Sequence, residues 1–229
     1  REGYVDEEEL IAAAVETEKL SRVDLYGIGT NLTCFSFIQA DEEKMERLAE
    51  MRKKVENAAG HTLEIVSGGN SAALDLMMRG GICEGVDNFR LGESLLFGKE
   101  RSRYTFLPGT RNDGFILECE VVEAKVKPSL PWGTAGVDSY GRKPVFTNRG
   151  EKRKKVICAI GRQDFDAETA MPVDEGILIL GASSDHLMLD VTDSVKEYKV
   201  GDIVELRLGY FSVLRAFTSP YVEKIFLKK

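Results

Sequence analysis

Two short segments hold the residues whose types and spacing could do chemistry. The first is Ser67-Gly68-Gly69-Asn70-Ser71, which follows the extended run Thr62 to Val66 and precedes the helix-like Ser71 to Met78. Glycines let successive backbone N–H groups converge on an anion, and a following helix adds its unpaired N–H groups and positive end. Asn70 and Ser71 add side-chain donors, so a phosphate fits the loop. On these residues alone an equal alternative stands, a plain βα turn in which Asn70 or Ser71 caps the helix. The second segment is Asn88-Phe89-Arg90-Leu91-Gly92-Glu93-Ser94, again a strand end running into a helix start. Consecutive βα junctions of a parallel barrel share one rim, where ligands bind. Small residues and an arginine at two neighbouring junctions therefore suit a site for a phosphate and a ring. Arg90 read alone is as easily a surface ion-pair partner.

The elements that would position these residues come in two styles. Before about residue 105, helices and strands alternate. Asp6-Glu7-Glu8-Glu9 opens a helix over Leu10 to Leu20, with acids where a helix start favours them. Val23 to Gly29 reads as a strand, Asp41 to Ala59 as an amphipathic helix stopped by Gly60, and Asn88 to Gly92 as the last strand. That alternation implies parallel βα units. After residue 105, strand-like runs at Gly114 to Lys127, Lys154 to Ile160, Gly176 to Leu180, His186 to Val191, Ile203 to Leu208 and Tyr221 to Phe226 are separated by turn formers. They predict a β-barrel or sandwich. The expected division is 1–105, a partial (β/α) barrel, and 106–229, a β domain. Three parallel strands leave open edges, so the first part is either a small open sheet or the end of a barrel that begins upstream of Arg1.

Composition narrows the classes. The 229 residues carry a net charge of −7, which argues against a general nucleic-acid binder. The basic run Arg149 to Lys155 reads as a solvated turn between strands. Cys34, Cys83, Cys119 and Cys158 are scattered and form no CxxC pair, so neither a disulfide framework nor a zinc site is implied, and a reducing, cytoplasmic compartment fits. His61 and His186 are far apart, which lowers a metal-dependent chemistry. No apolar run reaches membrane-spanning length and no signal peptide is visible. Because the first residue is Arg1, the chain is expected to be a processed product, a fragment or an expressed piece.

Taken in order, these motifs resemble the fold-type III pyridoxal-phosphate (PLP) enzymes, and among them the alanine-racemase-like group with its ornithine and lysine racemase branch. Ser67 to Ala73 is similar to the group's phosphate loop, and Asn88 to Gly98 to its last barrel strand. Gly161-Arg162-Gln163-Asp164, Gly181 to His186, Leu189 to Asp193 and Thr218 to Val222 are similar to the ornithine-racemase branch. The resemblance implies an α/β plus all-β fold, the C-terminal part of a PLP-binding (β/α)₈ barrel followed by a β domain. It implies PLP as cofactor, an amino acid as substrate and a head-to-tail homodimer, with no nucleic acid and no membrane. It implies that Asn70, Ser71 and backbone N–H groups near Gly92 and Glu93 contact the phosphate. Arg90 faces the pyridine nitrogen, and Tyr140, in Asp138-Ser139-Tyr140-Gly141, is the acid-base residue that the β domain of a partner subunit supplies.

Three positions depart from the alanine racemases. Asn31 stands where a ring-stacking histidine is expected, Arg162 replaces a second β-domain tyrosine, and Phe217 replaces a phosphate-contacting tyrosine. They cast doubt on alanine as substrate. Ser184 offers a backbone donor and Asp185 an acid for the distal ammonium of ornithine or lysine, although Asp185 could equally hold a turn. The cofactor lysine of the group lies at the end of the first barrel strand, and no lysine here occupies such a place, so this chain is expected to be inactive alone. Two alternatives remain: a related fold-type III lyase (aldolase or dehydratase), and a non-catalytic module that dimerises or binds a ligand.

Overall fold

The computed structural model describes residues 3–137 and 141–228. The chain divides into two compact units, Arg1–Arg111 and Asn112–Lys229.

In the first unit, helices α1 (Glu7–Glu18) and α2 (Glu42–Ala59) both start at an aspartate cap. Asp6 accepts from the Glu9 N–H at 3.0 Å, and Asp41 accepts from the Lys44 N–H at 2.9 Å. The Asp side chain satisfies a first-turn N–H that has no intrahelical partner. Strands β1 (Gly27–Gly29), β2 (Ile65–Asn70) and β3 (Asn88–Arg90) form a parallel sheet in the order β1-β2-β3. The register pairs Gly29 with Ser67 and Asn70 with Arg90, and slips between Ser67 and Asn70. Met45, Leu48, Met51 and Val55 make the apolar stripe of α2. It packs on Leu63, Val66, Leu76 and Val86 in two adjoining clusters. All three strand C-termini therefore open at one edge of the sheet.

Two expectations change here. Ser67-Gly68-Gly69-Asn70 is not a loop but the last two-thirds of β2. The helix after it begins as a 3-10 turn, Ser71–Ala73, before α3 (Leu74–Met78). The first strand is also shorter than the Val23 to Gly29 run, because only Gly27–Gly29 finds a partner.

The second unit is one antiparallel six-stranded sheet, ordered β6-β9-β4-β5-β8-β7. Its long strand β4 (Ile116–Lys127) pairs with β9 (Ile203–Leu208) through its first half and with β5 (Arg153–Cys158) through its second. Strands β6 (Ala170–Pro172), β7 (Leu178–Ala182) and β8 (Leu187–Asp190) complete it. The end strands β6 and β7 lie in contact, so the sheet nearly closes into a barrel. Alternate residues point inward: Leu117, Cys119 and Val121 of β4, Val204, Leu206 and Leu208 of β9, and Leu187 and Leu189 of β8. Phe165 fills the centre at 0 % exposure. Burial pushes the Cys158 thiol up to about 12 and raises that of Cys119 further, with Cys158 and Glu118 adding to the latter. Both act as small core hydrophobes.

The segment Tyr221 to Phe226 is not a strand: Tyr221, Ile225 and Phe226 are exposed and unpaired in any sheet. The last regular element is instead helix α5 (Tyr210–Thr218), which seats Ser212, Val213 and Ala216 on the barrel. Their spacing of one and three is helical, and Gly209 before them is the N-cap. Among the described residues no helix is long and apolar enough to cross a membrane.

Candidate functional site

The open edge of the parallel sheet gathers Asn31, Asn70, Ser71, Arg90, Gly92 and Glu93 into the first unit. Arg90, at the end of β3, reaches back across β2. Its Nη1 donates to Ser67 Oγ at 2.5 Å and its Nη2 donates to the Thr30 carbonyl at 2.7 Å. The guanidinium thus reaches from the end of β3 across the middle of β2 to the residue after β1, with the remaining donors of its fork unspent in these bonds. Gly29, Thr30, Asn31 and Arg90, with Cys34, Phe35 and Ser36, line a cleft of about 530 Å³. That volume lies within the usual range for a small-molecule site.

Asn70 and Ser71 are both engaged inside the protein. Asn70 Oδ1 accepts from the Ala72 N–H at 2.8 Å, which is a cap on the 3-10 turn. Its Nδ2 donates to Asn31 Oδ1 at 2.7 Å and to the Leu32 carbonyl at 3.0 Å. Asn31 and Asn70 therefore hold each other, tying the end of β1 to the end of β2. The Ser71 hydroxyl is buried. It accepts from the Gly92 N–H at 3.3 Å and the Ser94 N–H at 3.2 Å, and shares a bond with Ser94 Oγ at 3.0 Å. It draws the start of helix α4 (Glu93–Phe97) onto the end of β2.

Two glycines of β2 are needed for this geometry. A Cβ on Gly68 would sit 2.7 Å from Phe89 and 2.8 Å from Val86, so a side chain there is excluded. Gly69 has φ +120°, in the region that favours glycine, and a Cβ there would meet only the Thr30 carbonyl, at 3.8 Å. Gly69 itself is buried, and its positive φ is what makes glycine the suitable residue there.

Glu93 contributes more than a backbone position. Its carboxylate is buried and pairs with Arg101 Nη1 at 2.8 Å. The sequence gives Arg101 and Thr30 no role, and Ser67 and Ser94 stand out in it only as the first residue of one motif and the last of the other.

The remaining candidates belong to the second unit or lie outside the described residues. Tyr140 is among the latter. Ser184 and Asp185 form the turn between β7 and β8. Ser184 Oγ donates to Asp185 Oδ1 at 3.0 Å and Ser183 Oγ does so at 3.2 Å, with His186 beside them at 3.2 Å. The Ser184 hydroxyl, with the His186 ring and Ser183, holds the exposed Asp185 carboxyl below its ordinary range. The Ser184 carbonyl accepts from the Gln163 N–H at 3.0 Å, and the Ser183 carbonyl from the Arg162 N–H at 2.8 Å. Arg162 Nε donates to the Ala182 carbonyl at 2.8 Å. His61 is bonded to Glu18 and the Thr62 carbonyl, in the other unit from His186.

A parallel βα rim followed by an antiparallel barrel is the C-terminal architecture of the fold-type III PLP enzymes, and solved structures share it. Alanine racemase from Bartonella henselae with covalently bound pyridoxal phosphate matches with a TM-score of 0.53 at 19% identity, over 89% of this chain and 52% of that one. D-threonine aldolase from Filomicrobium marinum matches with a TM-score of 0.53 at 11% identity, over 89% of this chain and 50% of that one. The chain thus shares the fold of about half of each of these structures. Its sequence is similar in particular to an ornithine racemase of Acetoanaerobium sticklandii, 45% identical over 98% of this chain and 63% of that protein. It is also similar to a lysine racemase of Thermotoga maritima, 42% identical over 93% of this chain and 60% of that protein. The chain thus spans about 60% of the length of these relatives. No protein-family model matches it.

Proposed function

We propose that the chain is the cofactor-phosphate and β-domain portion of a PLP-dependent amino-acid racemase that exchanges the α-proton of ornithine, lysine or a similar amino acid. The observation that carries this reading is the shared rim: Arg90 bridges the three strands, and Ser71 binds the second βα junction to the first. The similarity to ornithine and lysine racemases supports it.

The residues present fit the cofactor. The cleft beside Arg90 has the size, and the exposed Gly92 and its neighbour Glu93 stand beside Ser71. On this reading the phosphate lies against the backbone of the Asn70–Ser71 and Gly92–Glu93 junctions. Asn70 and Ser71 shape that cradle through their own internal bonds, and Asn31 holds Asn70 in place. PLP, when bound, withdraws electrons from the substrate and makes its α-proton more acidic. Arg90 faces the ring nitrogen. A guanidinium stays protonated, so it donates a hydrogen bond there and disfavours a second positive charge. Ser67 and Thr30 fix its plane.

Proton exchange needs acid-base groups on both faces of the substrate α-carbon. We assign one face to Tyr140 of a second copy of this chain, which makes the protein a homodimer. A phenol normally titrates near pH 10, so a neighbouring cation or the substrate's own charge has to lower it. The other face falls to the cofactor lysine, which we place in the part of the relatives' length that the chain does not span. Ser184 and Asp185 would meet the distal ammonium of a diamino acid, and the lowered Asp185 carboxyl suits that role. We also propose a cytoplasmic location and a complete (β/α)₈ barrel for the whole protein.

The test is chiral analysis of ornithine, lysine, alanine and serine incubated with the complete protein and PLP in heavy water. Inversion of ornithine or lysine with α-deuterium in both enantiomers is expected. Absence of inversion for all four, or cleavage of a β-hydroxy amino acid instead, refutes the racemase reading.

A further inference from the structure

The rim contains an acid where an anion is proposed to bind. Glu93 follows Gly92 directly, and its buried carboxylate is a few ångströms from its own backbone N–H. A carboxylate roughly 6 Å from a phosphate, at an effective dielectric constant of roughly 20 to 40, weakens binding on the order of ten- to a hundredfold. Something has to offset that charge.

Arg101 is placed to do so. Its Nη1 is 2.8 Å from Glu93 Oε2, and its N–H approaches the Ser71 carbonyl at 3.5 Å. Arg101 sits in a small hairpin closed by the Lys99–Phe106 bridge, by Glu100 N–H to Thr105 O at 3.0 Å and by Leu107 N–H to Gly98 O at 2.7 Å. The hairpin is built around a second buried acid, Glu100, which is 3 % exposed. The Glu100 carboxylate accepts from Ser102 N–H at 2.8 Å, Ser102 Oγ at 2.5 Å, Arg103 N–H at 2.8 Å, Thr105 N–H at 3.2 Å and Thr105 Oγ1 at 3.1 Å. Five donors leave it no free side with which to do chemistry. Arg103 to Asp75 at 3.3 Å and Gln39 Nε2 to the Ser102 carbonyl at 3.4 Å pin the hairpin to α3 and to the segment before α2. The side chain of Lys99 lies over Tyr104, 4.1 Å from the ring centre, across the strands of the hairpin.

We propose that Arg101 is a positioning residue for the phosphate end of the rim. It neutralises Glu93 and turns the carboxylate toward the hairpin, so that the backbone at Gly92–Glu93 meets an anion without the field of the acid. Glu100 acts one step further back by fixing the turn that carries Arg101. This inference rests on the phosphate reading of the rim.

The test is a double-mutant cycle on the complete protein. Affinities for PLP and for pyridoxal, which lacks the phosphate, are measured by fluorescence titration, and their ratio reads the phosphate contribution alone. The wild type is expected to prefer PLP. Arg101→Gln should reduce that preference on the order of tenfold or more. Glu93→Gln should leave it equal to or above wild type, and Glu93→Gln with Arg101→Gln should restore it. A role in packing alone predicts no restoration. The inference is overturned if the double variant is no better than Arg101→Gln, or if PLP and pyridoxal weaken together. Should Arg101→Gln fail to fold, Glu93→Gln decides by itself, since a lowered PLP preference there contradicts the charge argument. A wild type that binds both compounds alike refutes the phosphate reading, and this inference with it.

Discussion

Replacing Ser71 by alanine removes one hydroxyl and disconnects two βα junctions. In the structure Ser71 Oγ receives the N–H groups of Gly92 and Ser94 and bonds to Ser94 Oγ. Both N–H groups lie at the start of α4, where no upstream helical carbonyl is available. Gly92 is exposed, so water replaces its lost partner at little cost. Ser94 is buried, and its N–H is stranded. A stranded buried donor costs about 1–3 kcal/mol, and the Ser94 hydroxyl loses a partner as well, so the total is about 2–3 kcal/mol. Hydrogen exchange at the amides of Ser94 to Phe97 measures it directly. Those amides should exchange roughly 30- to 150-fold faster, as that energy implies, while amides of the second unit should not change. PLP retention should fall with it, because the Gly92–Glu93 backbone is no longer held against Ser71. Unchanged exchange at Ser94 in the Ser71→Ala protein would falsify the claim that this hydroxyl joins the two junctions.

Two further outcomes follow from buried acids. Hydrogen bonds from Ser102, Thr105 and Arg103 outweigh the burial that would raise the Glu100 carboxyl, and hold it below its ordinary 4.5. Its contribution to the hairpin is therefore complete above pH 4.5 and disappears only as pH falls through the lowered value. Amide exchange at Ser102, Arg103 and Thr105, corrected for intrinsic rates, should show protection down to about that pH and a loss below it, and Glu100→Gln should abolish the pH dependence. In the β domain Asp190 is 1 % exposed, bonds to Arg153 Nε at 2.8 Å and accepts from Thr192 N–H and Oγ1. Asp190→Ala should lower the stability of this unit by about 3 kcal/mol in urea unfolding, and no loss would mean that the pair does not join β5 to β8.

The parts of the site legible in the sequence were those encoded within a few residues. Ser67 to Ser71 and Arg90 to Ser94 are each contiguous, and glycines and hydroxyl residues at a strand end mark a βα junction. The structure also shows why Asn70 allowed two readings. It does cap the turn after β2, and the same side chain bonds to Asn31, 39 residues away in sequence. What stayed hidden depends on contacts across an intervening element. Ser71 meets Ser94 only because β2 and β3 are parallel neighbours, and Arg101 meets Glu93 only because a hairpin folds back. Apolar and β-branched content misled at the C-terminus. Tyr221, Val222, Ile225 and Phe226 have strand-like side chains, but no sheet edge lies there to receive them, whereas Tyr210 to Thr218 has a buried face of small residues that the eye passes over.

Fold alone does not separate a racemase from a lyase, since an alanine racemase and a D-threonine aldolase match this chain with equal TM-scores. The local feature that bears on the proposed chemistry is Arg90. Arg90 is locked by Ser67 and Thr30 in a fixed plane, and a guanidinium neither releases nor accepts a proton under ordinary conditions. If PLP is bound as proposed, Arg90 would face its ring nitrogen and disfavour protonation there. On the proposed reading this would limit reactions that need extended delocalisation of negative charge and leave return of a proton to the same carbon as the favoured outcome. That preference survives only if the plane is fixed. A lysine in place of Arg90 keeps the charge but lacks the fork that bridges β1 and β2. On the proposed reading, the two hydrogen bonds, more than the positive charge, are therefore what Arg90 contributes to the rim.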